Sequence, residues 1–127
     1  GGGDVPPRHN YFYPLRIRPG GRTVALSEYG GIAWPMPGHE PPGKTYGYGT
    51  AKDKADLTKR YKMLQWKTIL PQLGRGLSAL VYTQLTDVED EVNGLFTYDR
   101  AALKPEAAAV RSCNAALAAE FAKVTAK

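Results

Sequence analysis

Ser27-Glu28-Tyr29-Gly30-Gly31 places a carboxylate two residues before a glycine pair, at the end of the apolar run Thr23-Val24-Ala25-Leu26. A carboxylate delivered by the last turn of a buried strand, with glycines letting the backbone swing away beside it, suits a nucleophile facing a pocket. Taken alone, the same pattern also fits a glutamate that braces a loop or stands in solvent.

A second polar group runs from Thr83-Gln84 through Asp87-Val88-Glu89-Asp90-Glu91-Val92-Asn93-Gly94. Its acidic spacing invites a calcium loop, but the EF-hand pattern requires glycine at its sixth position and glutamate at its twelfth. Counted from Asp87, those positions hold Val92 and Tyr98. Asp90 and Glu91 are therefore expected to cap the turn and pair with bases such as Arg100. Gln84 differs, because an amide at a strand end can bond a sugar hydroxyl or orient a carboxylate opposite it.

The remaining chemistry lies in His9, Tyr11, Tyr13, Trp34, His39, Tyr46 and Tyr48, all outside the expected helices. Sugars present C–H faces that stack on aromatic rings and hydroxyls that need planar polar partners, so the inventory suits carbohydrate; loop packing uses the same residues. The two histidines have no nearby carboxylate pattern and give no metal-site spacing. Cys113, the lone cysteine, excludes an internal disulfide and any cysteine-based zinc cluster, and its Ala-rich surroundings mark it as a small buried residue.

Periodicity supplies the elements that must hold these groups. Residues 1–22 are rich in Gly, Pro and Arg and read as an irregular lead-in with at most a short strand, since Pro6 and Pro7 interrupt any central one. The run 23–28 reads as a buried parallel strand, followed by a Pro- and Gly-rich loop over 32–49, long enough to be functional. Leu57, Tyr61, Leu64, Trp66, Ile69 and Leu70 predict a helix over 53–70, capped by Asp53 or Thr50 and stopped by Pro71 and Gly74. A second buried strand over 77–85, an acidic loop over 86–100 with an Asn93-Gly94 turn, and a helix over 104–124 with Pro105 in its first turn complete the order. Such alternation predicts an α/β fold with parallel strands. So few parallel strands leave edges unpaired, so self-association through exposed sheet edges is expected.

Of the 127 residues, 43% are hydrophobic and 23% charged, the balance of a soluble globular protein. No window reaches the roughly 18 uncharged apolar residues of a membrane span, and the Gly-rich start lacks the pattern of a signal peptide, so no compartment is indicated. The net charge of +5 raises nucleic acid as a partner. However, the Lys and Arg residues between Lys52 and Lys67 alternate with apolar ones at helical spacing, the form of a solvated helix face, and nucleic acid is not expected.

At these residues the sequence resembles the C-terminal part of the catalytic (β/α)8 barrel of glycoside hydrolase family 2, the β-galactosidases, β-glucuronidases and β-mannosidases. Ala25-Leu26-Ser27-Glu28-Tyr29-Gly30-Gly31 is similar to the family's seventh strand with its nucleophile. Val81-Tyr82-Thr83-Gln84-Leu85-Thr86-Asp87-Val88-Glu89, Glu91-Val92-Asn93-Gly94 and Leu95-Phe96-Thr97-Tyr98-Asp99-Arg100, then Lys104-Pro105, resemble the eighth strand and its loop in one bacterial branch. His9-Asn10-Tyr11 resembles the end of the sixth strand, although Phe12 stands where a proline is usual.

The resemblance implies a partial TIM barrel of the last two to three β/α units, divided at 1–22, 23–76 and 77–127. It implies a retaining β-glycosidase that forms a covalent glycosyl-enzyme intermediate on Glu28, with His9, Tyr11, Trp34 and Gln84 lining the sugar pocket. It implies no metal or organic cofactor, a carbohydrate substrate, and the remainder of the barrel as partner. Retaining hydrolysis needs two carboxyl groups about 5 to 5.5 Å apart. The family's acid/base glutamate lies in an Asn-Glu pair, and the sequence contains none; neither Glu40 nor Glu89 matches its position. The chain alone is therefore expected to be inactive. The alternative is a non-catalytic carbohydrate-binding or structural module that keeps only stacking and packing.

Overall fold

The computed structural model describes residues 5, 7–11, 14–18 and 23–126. Three parallel strands, β1 (Pro7–Asn10), β2 (Val24–Gly30) and β3 (Leu77–Thr83), form one sheet in the order β1-β2-β3. Between β2 and β3 the chain runs through α1 (Lys54–Met63), a π-helical stretch over Leu64–Ile69, and α2 (Leu70–Leu73); α3 (Ala107–Thr125) follows β3. β1 is an edge strand, the one position in a sheet where Pro7, with no N–H to donate, is tolerated.

These elements form a compact α/β domain, which corrects the expectation of a partial (β/α)8 barrel. A barrel's core lies inside a sheet closed on itself. Here the sheet is open, with β1 and β3 as its edges. The core lies between the sheet and the helices, where Val24, Leu26 and Leu77 meet Leu57, Leu64, Ile69 and Leu73. The resemblance resides in short local motifs, and strand closure is not a local property.

The α1 helix starts where Asp53 accepts a hydrogen bond from the Asp56 N–H at 2.7 Å. Pro71 does not end the helical run. The π turn routes the Leu70 N–H to the Gln65 carbonyl, and Pro71 falls in the first turn of α2, where no N–H is required; the run ends at Gly74. Four residues after Tyr61, Gln65 falls on the same helix face as Tyr61, whereas Trp66 falls off it. Gln65 is buried and hydrogen-bonded to the Tyr29 hydroxyl, while Trp66, expected in the apolar stripe, is 42% exposed.

The last helix begins at Ala107, with Pro105 before it rather than in its first turn, because Lys104 and Pro105 are held in the packing below. Lys104 is fully buried. Its ammonium donates to the Trp34 carbonyl at 2.9 Å, the Val92 carbonyl at 2.8 Å and Asp87 Oδ1 at 2.7 Å. All three donors are used, and the same Asp87 oxygen accepts the Gly94 N–H. One side chain thus joins the 32–49 loop to the acidic loop. Burial pushes Asp87 up and Lys104 down from their ordinary values, and the hydrogen bond between them opposes both shifts. Cys113 is buried, as expected, and burial raises its thiol.

Candidate functional site

The carboxyl ends of the three strands converge on a cleft of about 430 Å³. The β1–β2 register puts His9 opposite Glu28, and the residue following β1 is Tyr11. The Tyr11 hydroxyl donates to Glu28 Oε2, and His9 Nδ1 lies 3.4 Å from the same oxygen. Tyr11 also reaches Thr83 Oγ1, at the end of β3, at 3.5 Å. Both contacts to Glu28 fall on Oε2. Oε1 has no hydrogen-bond partner among the described residues, and the side chain is 44% exposed. A carboxylate with one oxygen fixed and the other open is oriented yet accessible, which is the arrangement a nucleophile needs.

The glycine pair shapes this end of β2. Gly30 and Gly31 both have positive φ, at 98° and 66°. A Cβ on Gly31 would lie 2.7 Å from the Tyr48 ring and 2.9 Å from that of Tyr11, and one on Gly30 would lie 2.4 Å from Tyr82. The bare backbone therefore lets Tyr11 and Tyr48 stack, with centroids 3.8 Å apart and planes 9° apart. Burial first, and the hydrogen bond to Glu28 second, push the Tyr11 phenol up to about 12. The Tyr48 phenol is also raised, chiefly by its hydrogen bond with Tyr46.

The far wall comes from two loops. The Tyr46 N–H donates to the Asp90 carbonyl at 2.6 Å, and the Tyr46 carbonyl accepts from Val92 at 3.0 Å, placing Glu91 at the cleft. Glu91 Oε2 accepts from Gln84 Nε2 and from Asn93 Nδ2, both at 3.2 Å, and Gln84 Nε2 also donates to Asn93 Oδ1 at 2.7 Å. Glu91 does not pair with Arg100, as its acidic loop suggested; it enters the cleft.

Of the residues singled out from sequence, Glu28, His9, Tyr11 and Gln84 are brought together. Trp34 is not. It is 9% exposed and belongs to the core, its backbone paired with Val92 and Lys104. His39 lies elsewhere, 2.7 Å from Asp99, so both histidines do have a carboxylate neighbour, one that sequence distance hid. Thr97, the Ala101 N–H and His39 hold Asp99 low, at about 2. No group of three or more metal-ligating side chains occurs among the described residues. Tyr13 lies outside the described residues. Glu91 and Tyr48 are the site residues that sequence reasoning did not assign. Their placement depends on pairing between loops more than 40 residues apart, of which the sequence gives only the Gly-flanked tyrosines as a signal. No protein-family model matches the chain, and no curated protein matches it.

Proposed function

We propose that this chain carries the nucleophile of a retaining β-glycosidase, with Glu28 attacking the anomeric carbon of a β-linked glycoside. The observation that supports this reading is the Glu28 carboxylate at the end of β2, one oxygen held by Tyr11 and His9 and the other open to a tyrosine-walled cleft. A Glu28 oxygen forms a bond to the anomeric carbon as the bond to the leaving oxygen breaks, and the electron pair departs with the aglycone. Water then releases the sugar from the glycosyl-enzyme ester. The chemistry uses two carboxyl groups and needs neither a metal nor an organic cofactor.

The general acid that protonates the departing oxygen comes, in this proposal, from a separate segment. Natural glycosides, whose alkoxide leaves poorly without a proton, are then inert to the chain alone. Activated 2-deoxy-2-fluoro glycosides with dinitrophenolate or fluoride as leaving group need no proton, so they isolate the nucleophile. Intact mass after incubation with them is expected to rise by one fluoroglycosyl group, and not to rise in Glu28→Gln. Equal labelling of the two proteins contradicts the proposal. Saccharide binding without label, unchanged by Glu28→Gln, favours a non-catalytic carbohydrate-binding module.

A further inference from the structure

Resting on that reading, we infer that Glu91 selects the sugar: it accepts a hydrogen bond from a ring hydroxyl and excludes glycosides that carry a negative charge, such as uronic acids and sulfated sugars. The position of Glu91 is fixed on three sides. The two amides of Gln84 and Asn93 converge on its Oε2, Asn93 itself being fully buried, and the backbone on either side of it is pinned to Tyr46. Both amides use Oε2, which leaves Oε1 as the acceptor for a hydroxyl; a carboxylate has lone pairs for both.

The same cleft contains Glu28, and no lysine or arginine lines it among the described residues. Arg60 and Lys67 line a separate cavity of about 470 Å³ that shares only Tyr11 and Tyr48 with the cleft. Among the described residues an anionic substituent entering beside Glu28 therefore meets two carboxylates and, apart from the His9 imidazole already 3.4 Å from Glu28 Oε2, no cationic side chain at the cleft lining, and like charges at short range inside a cleft oppose binding. A neutral sugar meets acceptors, an amide and tyrosine rings.

The test pairs two readouts on matched neutral and uronic β-glycosides: labelling by the 2-fluoro derivatives, and binding of the unreactive methyl glycosides followed by ligand-observed NMR. The uronic compound is expected to label and bind at least about tenfold more weakly than the neutral one, and Glu91→Gln is expected to narrow that ratio severalfold. Glu91→Gln keeps the side-chain shape, and its thermal midpoint reports whether the loop still packs. Labelling without discrimination, or discrimination unchanged in a folded Glu91→Gln, overturns the role of Glu91 and leaves the nucleophile standing. Discriminating, Glu91-dependent binding without any label overturns the nucleophile and leaves Glu91 standing. Neither labelling nor binding of either sugar overturns both.

Discussion

Asp87 and Glu28 are both carboxylates held by donor side chains, and they differ in burial and in what surrounds them. Asp87 is 2% exposed and shares a closed set of hydrogen bonds with Lys104, whose three donors are all used. Glu28 is 44% exposed beside a His9 that is 58% exposed, and its Oε1 has no hydrogen-bond partner among the described residues. The first arrangement is structural because it is dry and its cation has every donor spent; nothing could bind there without breaking it. The second is suited to chemistry because it is oriented but unfinished. A count of acidic residues would rank the 86–100 loop above Glu28, whereas the exposure of each carboxylate sets Glu28 above Asp87.

The comparison breaks most visibly at its buried end. Lys104→Met leaves the buried Asp87 charge without its cation and the Trp34 carbonyl without its donor, and is expected to cost about 3 to 5 kcal/mol, read from the urea midpoint. A Lys104→Met, Asp87→Leu double variant should recover part of that loss, because no uncompensated charge remains. A loss below about 1 kcal/mol for the single change would mean that the pair does not clamp the loops.

At the open end the largest structural effect belongs to a glycine. Gly31→Ala forces a side chain onto a positive φ and into the Tyr11–Tyr48 stack, and is expected to cost about 1 to 3 kcal/mol. Unlike Lys104→Met, it should also abolish labelling of Glu28 under conditions where the protein remains folded, because Tyr11 loses its place. A folded variant with normal labelling would detach the stack from the site.

The smallest effect is a titration. Tyr11, followed by tyrosine ring NMR with Tyr11→Phe as the assignment control, is expected to ionise near pH 12, and its folded value exceeds the ordinary 10. The sign follows: its contribution to stability is whole below pH 10 and is lost as pH rises toward 12. Glu28→Gln should move the Tyr11 titration downward while leaving it above 10, since burial, the larger cause, stays. No movement would mean that the two groups do not share a hydrogen bond in solution.

Much of this layout was legible in local pattern. The apolar run into Glu28, the glycine pair and the cap at Asp53 each act over a few residues, and each matches an observed element; β3 forms where its apolar run predicts, but it is not buried as expected, Val81 at its centre being 56% exposed on this edge strand. The π turn was not legible, because a single widened turn leaves no repeating signature; Trp66 was placed in the apolar stripe on residue type, although Gln65, four residues after Tyr61, holds the buried position. Lys104 entered the sequence reading only as the first residue of the last helix and in the Lys104-Pro105 pair, because lysine is almost never fully buried and its three acceptors come from two loops. Trp34 was assigned to the pocket on residue type, while its surroundings place it in the core. The same limit explains the fold class: sequence motifs describe strand ends, whereas an open or closed sheet is decided by all the strands together.

The most direct test of the account is to locate the sugar. Protein labelled with an activated 2-deoxy-2-fluoro β-glycoside, digested and sequenced by tandem mass spectrometry, is predicted to carry the fluoroglycosyl ester on the peptide containing Glu28 and on that side chain alone. An ester on Glu91, or label spread over several exposed carboxylates, would contradict the assignment of Glu28 as the nucleophile.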